Sequence, residues 1–185
     1  MYNGKIVCMK KLGSVILSFV LCGCAAVGTK TLYRANYTPN IHKIGYCDIY
    51  YSESVASVCP QINDIFHTTI REIIEKYGMP DSLKVGSIIK EDKKNISEYC
   101  EKNNLDALLF TNLRFIRGNI MHGGANYDAE VEMRLYNSQG VLLFSTLHNT
   151  YKGNSYFWPP SANTTARDGI KGAFKGLAKE MRLKH

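Results

Sequence analysis

Tyr127-Asp128-Ala129-Glu130-Val131-Glu132-Met133-Arg134-Leu135-Tyr136-Asn137-Ser138-Gln139-Gly140-Val141-Leu142-Leu143-Phe144 is the stretch that decides the fold class. Tyr127, Ala129, Val131, Met133 and Leu135 alternate with Asp128, Glu130, Glu132 and Arg134. A period of two places one face of a strand on a core and the other in water. Asn137-Ser138-Gln139-Gly140 has turn composition and predicts a hairpin into a second strand over 141–152. Just upstream, Leu105-Asp106-Ala107-Leu108-Leu109-Phe110 has the pattern of a buried strand continuing towards Ile116, with 118–126 as the turn between. Three sequential strands with short connections make this half of the sheet antiparallel.

Working outward, Pro60 opens a helix whose apolar residues Ile62, Ile65, Phe66, Ile70, Ile73, Ile74 and Tyr77 follow the helical period, and Gly78 and Pro80 end it. Residues 41–51 are β-rich and 83–89 form a short strand. A second helix over 91–103 turns Ile96, Tyr99 and Cys100 inward. Thr165 and Asp168 have the spacing of a capping box for a final helix. The order β-α-β-α-β-β-β-α, without internal repeats, predicts an α/β fold: a two-layer sandwich of helices on a mixed, partly antiparallel sheet.

At the N-terminus, Lys10 and Lys11 precede an uncharged apolar run from Leu12 to Leu21, the form of a signal peptide. That run is about half the roughly 20 residues needed to cross a bilayer, so removal is favoured over a transmembrane anchor. Met9 makes a complete start, which puts residues 1–8 upstream of it. Leu21-Cys22-Gly23-Cys24 resembles the lipobox of bacterial lipoproteins, a large aliphatic residue, two small ones and a cysteine; Cys22 departs from the usual Ala or Ser but keeps the small size. The resemblance implies cleavage before Cys24 and covalent diacylglyceryl and acyl chains on its sulfur, with no other cofactor. Ala25, where Asp would favour the inner membrane, implies an outer-membrane anchor facing the periplasm. The expected organisation is a signal peptide over 1–23, a lipidated tether over 24–40, rich in Gly and Thr, and one globular domain over 41–185.

The domain also resembles the curli-export lipoproteins, the lipoprotein activators of penicillin-binding proteins and the N-terminal domain of the Tol-system propeller protein. Leu105–Phe110, Glu130–Tyr136 and Val141-Leu142-Leu143-Phe144 carry the likeness. It implies this fold and a role in the cell envelope.

The net charge is +7; Lys5, Lys10 and Lys11 leave with the leader, so the mature chain keeps only about +4, which is ordinary solvation and no argument for nucleic acid. Cys47, Cys59 and Cys100 remain for other chemistry. A Cys47–Cys59 bridge and separate buried thiols are both open in an oxidising compartment. His42, His67, His122, His148 and His185 have no metal-ligand spacing. His122-Gly123-Gly124 reads as a turn, Asp128, Glu130 and Glu132 as a solvated strand face, and no phosphate loop is present. The expectation is therefore a non-enzyme.

Two features call for more. Tyr156-Phe157-Trp158-Pro159-Pro160 sets three aromatics beside two prolines, either as a binding anchor or as a cover over an open core edge. In the final helix, Gly169, Gly172 and Gly176 share a face, apart from the apolar stripe and from the basic stripe of Arg167, Lys171, Lys175, Lys179 and Arg182. Each glycine costs up to about 1 kcal/mol in a helix interior, so a backbone must approach closely there, either the domain's own or a partner's. The basic stripe is either solvated or turned to anionic headgroups or an acidic partner. The expected function is a membrane-anchored interaction or assembly module that binds an envelope protein or further copies of itself. A periplasmic carrier or sensor of a small apolar ligand is the alternative.

Overall fold

The structure, a computed structural model, describes residues 28–36, 40–77, 82–85, 90–117, 127–151 and 160–182. Its strands are β1 (Gly28–Arg34), β2 (Ile44–Cys47), β3 (Tyr50–Tyr51), β4 (Ser82–Val85), β5 (Ala107–Arg117), β6 (Tyr127–Asn137) and β7 (Leu142–Asn149). Its helices are α1 (Glu53–Val58), α2 (Ile62–Tyr77), α3 (Lys93–Asn103) and α4 (Ala162–Glu180). The sheet runs β1-β7-β6-β5-β2-β4, with β3 continuing the line of β2 beside β5. Pairing is antiparallel from β1 to β5 and parallel through β2 and β4.

The predicted α/β sandwich on a mixed sheet is present. Along β6, Ala129, Val131, Met133 and Leu135 are buried and the intervening residues half-buried. The hairpin turn is held by Asn137, whose side-chain oxygen accepts from the N–H of Gln139 at 3.0 Å and of Val141 at 2.8 Å. Gly140 completes it at φ +70°, a conformation in which a side chain is strained. Its backbone also packs on α3, where an added Cβ would meet the carbonyl oxygen of Lys93 at 2.7 Å.

α2 and α4 cover one face of the sheet. Ile62, Phe66, Ile70 and Ile73 from α2 and Ile170, Ala173, Phe174 and Leu177 from α4 share a core with Leu109, Leu113, Val131 and Met133. α3 covers the other face, where Ile96 and Cys100 meet Leu108 and Phe110, the residues that alternate with Leu109 along β5. Connection handedness accounts for the division. The chain steps from β2 outward to β4 through α2, then back past β2 to β5 through α3. Right-handed crossovers in opposite directions must lie on opposite faces.

The sequence reading did not contain α1 or the division of 41–51 into β2 and β3, and two of its boundaries differ. α4 begins one turn earlier than a Thr165 cap would place it, because Ser161 is the cap and accepts from the N–H of Thr164 at 3.2 Å. Thr165 is inside the helix, donating its hydroxyl to the Tyr127 carbonyl at 3.1 Å. The larger correction concerns 24–40, expected to be a tether. Residues 28–34 are an edge strand in register with β7, from Gly28 opposite Asn149 to Arg34 opposite Phe144. Thr31 donates to Glu180 at 2.7 Å and Arg34 lies 3.3 Å from the same carboxylate. Nearly every β1 residue is exposed, so no apolar period marks the strand in the sequence. Main-chain pairing forms it instead. The domain thus begins no later than Gly28.

Candidate functional sites

The lipidation site Cys24, its cleavage motif Leu21, Cys22 and Gly23, and the aromatics Tyr156, Phe157 and Trp158 lie outside the described residues. The glycine face of α4 lies within them, and its neighbour is the domain's own sheet. A Cβ on Gly169 would meet Val131 Cγ2 at 2.8 Å and Ala129 Cβ at 3.3 Å; on Gly172 it would strike the His148 ring, and on Gly176 the Thr29 methyl. Gly169, Gly172 and Gly176 are therefore not an interface with a partner. They let α4 settle on β6, β7 and β1 closely enough for Thr29 to donate to the Gly172 carbonyl at 3.1 Å and Thr146 to that of Ala173 at 3.1 Å. The basic stripe is left outward: Arg167, Lys171, Lys175, Lys179 and Arg182 are exposed. Lys171 reaches α2 at Glu72, 3.0 Å away, and its hydrogen bond holds that carboxyl below the usual glutamate range.

Cys47, Cys59 and Cys100 are buried and in no disulfide, so the Cys47–Cys59 bridge does not form. Burial pushes the Cys100 thiol up to about 11 and raises that of Cys59, which keeps both protonated and poorly nucleophilic. Cys59 donates to the side-chain oxygen of Asn163 at 3.1 Å, tying α1 to α4. On the open face of β6, Glu132 accepts from Ser145 at 3.3 Å and lies 3.6 Å from Arg134 Nε. Partial burial raises the Asp128 carboxyl. Among the described residues no three His, Cys, Asp or Glu side chains gather as a metal site.

The structure reveals one concavity that sequence reasoning missed. Tyr46 is in register with Leu109 and Tyr50 with Asn112, so three residues on the β2–β3 side span two on β5. This is the count of a bulge, and bulges re-aim side chains and interrupt pairing. Cys47, Asp48 and Tyr50 then form one wall of a crevice of about 260 Å³ over Phe110 and Asn112. Across β5 stands Arg134, whose Nη2 is 2.9 Å from Glu91 Oε2; Tyr136 donates to Glu91 Oε1 at 2.8 Å. Burial, then the Glu91 contact, raises the Tyr136 phenol to about 12. Lys90 lies at the rim.

Behind the Asp48 wall, His67 Nε2 lies 2.8 Å from Asp48 Oδ1, and Lys84 Nζ lies 3.9 Å from the same oxygen. Burial first, then Lys84, lowers the His67 pKa from 6.5 despite that carboxylate. The only hint of this crevice in the sequence was a lone Asp in the middle of the β-rich run 41–51. Its four charged lining residues make it unlike a purely apolar ligand pocket.

The sequence matches no family model and no curated protein. Solved structures do share the fold. The PelC dodecamer from Paraburkholderia phytofirmans is 12% identical with a TM-score of 0.56, covering 85% of this chain and 98% of that one. A hypothetical protein from Chlamydia trachomatis is 7% identical at a TM-score of 0.48, covering 77% and 98%. A lipoprotein from Neisseria meningitidis is 9% identical at 0.42, covering 74% and 98%. At 12% identity the likeness to the PelC dodecamer concerns the fold alone.

Proposed function

We propose that this protein is a lipid-anchored component of the bacterial cell envelope that acts as an assembly module, associating with further copies of itself at the periplasmic face of the outer membrane. The fold shared with the PelC dodecamer across almost the whole of that chain carries the self-assembly part of this reading. The lipobox-like Leu21-Cys22-Gly23-Cys24 supports the anchor. The β1 edge supplies a surface suited to association: among the described residues its outer side pairs with no strand, and it exposes Leu32 and Tyr33 at 53% and 45%. An exposed edge is a template for another chain unless something covers it. Tyr156, Phe157 and Trp158 remain candidates for an envelope-protein contact. Neither reading requires catalysis or nucleic acid.

The test is the intact mass of the membrane-extracted protein together with light scattering in detergent. The expected results are a chain that starts at an acylated Cys24, an unlipidated precursor for Cys24→Ser, and a particle of several copies. Leu32→Glu should release monomers while changing stability by less than about 1 kcal/mol, as surface changes do. An unlipidated N-terminus refutes the anchor. A wild-type protein that stays monomeric at all concentrations refutes the assembly.

A further inference from the structure

We infer that the crevice beside the β2–β3 bulge binds a small zwitterion with an apolar body, of the size and chemistry of a free apolar amino acid. Topology places it where an open α/β sheet receives ligands. β2 and β4 are parallel to β5, and Asp48 follows directly on the carboxyl end of β2. The chain passes to opposite faces on leaving β2 and on leaving β4, so a crevice opens at the carboxyl end of β2, beside β5, where the winding reverses. The bulge at 47–49 widens that gap by breaking the register with β5.

The lining sets the ligand's chemistry. Asp48 and Glu91 balance Lys90 and Arg134, so a ligand with net charge would leave one charge uncompensated. Glu91 and Arg134 are largely committed to each other, to Tyr136 and to Glu132. Asp48 and Lys90 are less engaged. Asp48 turns Oδ1 to His67 Nε2 at 2.8 Å and to Lys84 Nζ at 3.9 Å, which leaves Oδ2 for a ligand, and Lys90 is 84% exposed with its nearest carboxylate, that of Asp92, also at 3.9 Å. Both line the crevice, one able to receive an ammonium and the other a carboxylate. In the same lining the Phe110 and Tyr50 side chains offer apolar surface to the body of the molecule. The volume of about 260 Å³ falls just below the usual range of drug-sized pockets, which limits the ligand to a small molecule.

Isothermal titration of the full chain in detergent with L-leucine and L-phenylalanine tests this, with phenethylamine and 3-phenylpropionate as analogues that each lack one charge. Saturable binding of at least one amino acid is expected, with each analogue about tenfold weaker, the loss of one charge-assisted contact. Asp48→Asn and Lys90→Gln should each weaken binding by a similar factor. Lys90 is so exposed that its variant keeps the test decisive even if Asp48→Asn fails to fold. Three results would each overturn the assignment: no saturable heat with either amino acid, binding unchanged in Lys90→Gln, or an analogue that binds as well as the zwitterion. The inference is independent of self-assembly, which is read by particle size rather than by heat.

Discussion

Adding one methyl group to Gly169 tests how α4 is seated. The new Cβ would lie 2.8 Å from Val131 Cγ2, 3.3 Å from Ala129 Cβ and 3.5 Å from Thr150 Cγ2, against an ordinary carbon contact of about 3.5–4.0 Å. Val131 and Ala129 are fully buried in the central strand β6, so neither can swing into solvent. Replacing glycine by alanine in a helix contributes about 1 kcal/mol of stability, whereas overpacking a tight core costs about 1–3 kcal/mol. The balance is a net loss of about 1 kcal/mol. Val131→Ala deletes the one methyl in severe conflict and by itself costs about 2 kcal/mol as a core truncation. With Cγ2 gone, the Thr150 contact at 3.5 Å is ordinary and the Ala129 contact at 3.3 Å needs a shift of only a few tenths of an ångström, which the space left by the valine methyls allows, so most of the helix preference for alanine is recovered.

Gly169→Ala should therefore destabilise the wild-type protein and stabilise the Val131→Ala protein, giving a coupling of about 1–3 kcal/mol in the double-mutant cycle. Urea unfolding followed by far-UV circular dichroism measures all four corners, with equal denaturant slopes as the check that the states compared are the same. Additive effects of the two substitutions would refute the close approach of helix and sheet. A fall in particle size with unchanged stability would restore the glycine face to an interface.

Asn137→Ala removes the acceptor for two turn N–H groups and should cost about 1–3 kcal/mol in the same urea assay, with Asn137→Asp largely restoring it; a change under about 0.5 kcal/mol would show that water replaces those bonds. His67 gives a pH signature. Its folded pKa lies below 6.5, so the unfolded chain binds the proton more readily and stability rises with pH through that window. The thermal midpoint should fall as pH drops from about 7 through and below 6.5, and His67→Gln should flatten that part of the profile; an equal slope in the variant would put the dependence elsewhere.

The strongly periodic elements were legible. β6 alternates without a break, α2 repeats its apolar residues at helical spacing, and Asn137–Gly140 has turn chemistry, so each is specified by residues close together in sequence. β1 was not legible because its stability comes from main-chain pairing and from Glu180, about 150 residues away, while its own side chains face water. The role of the glycines was left open for a related reason. Their spacing shows that some backbone comes close, but only the fold identifies β6, β7 and β1 as the neighbours. The crevice depends on a one-residue mismatch between two parallel strands, a difference of register that neither strand's sequence records.

β1 has a consequence for posture. With the lipid on Cys24 as proposed, three residues separate the anchor from Gly28, four chain steps and so a leash of at most about 14 Å. So short a leash fixes which end of the domain is down. Gly28 is in register with Asn149, Asn149 with Glu130, and Tyr127 with Arg117, so these residues mark the end of the sheet held towards the bilayer. The eleven residues of β6 lead away from it, about 35 Å to the Asn137–Gly140 turn, which becomes the tip that a soluble protein in the periplasm would meet first.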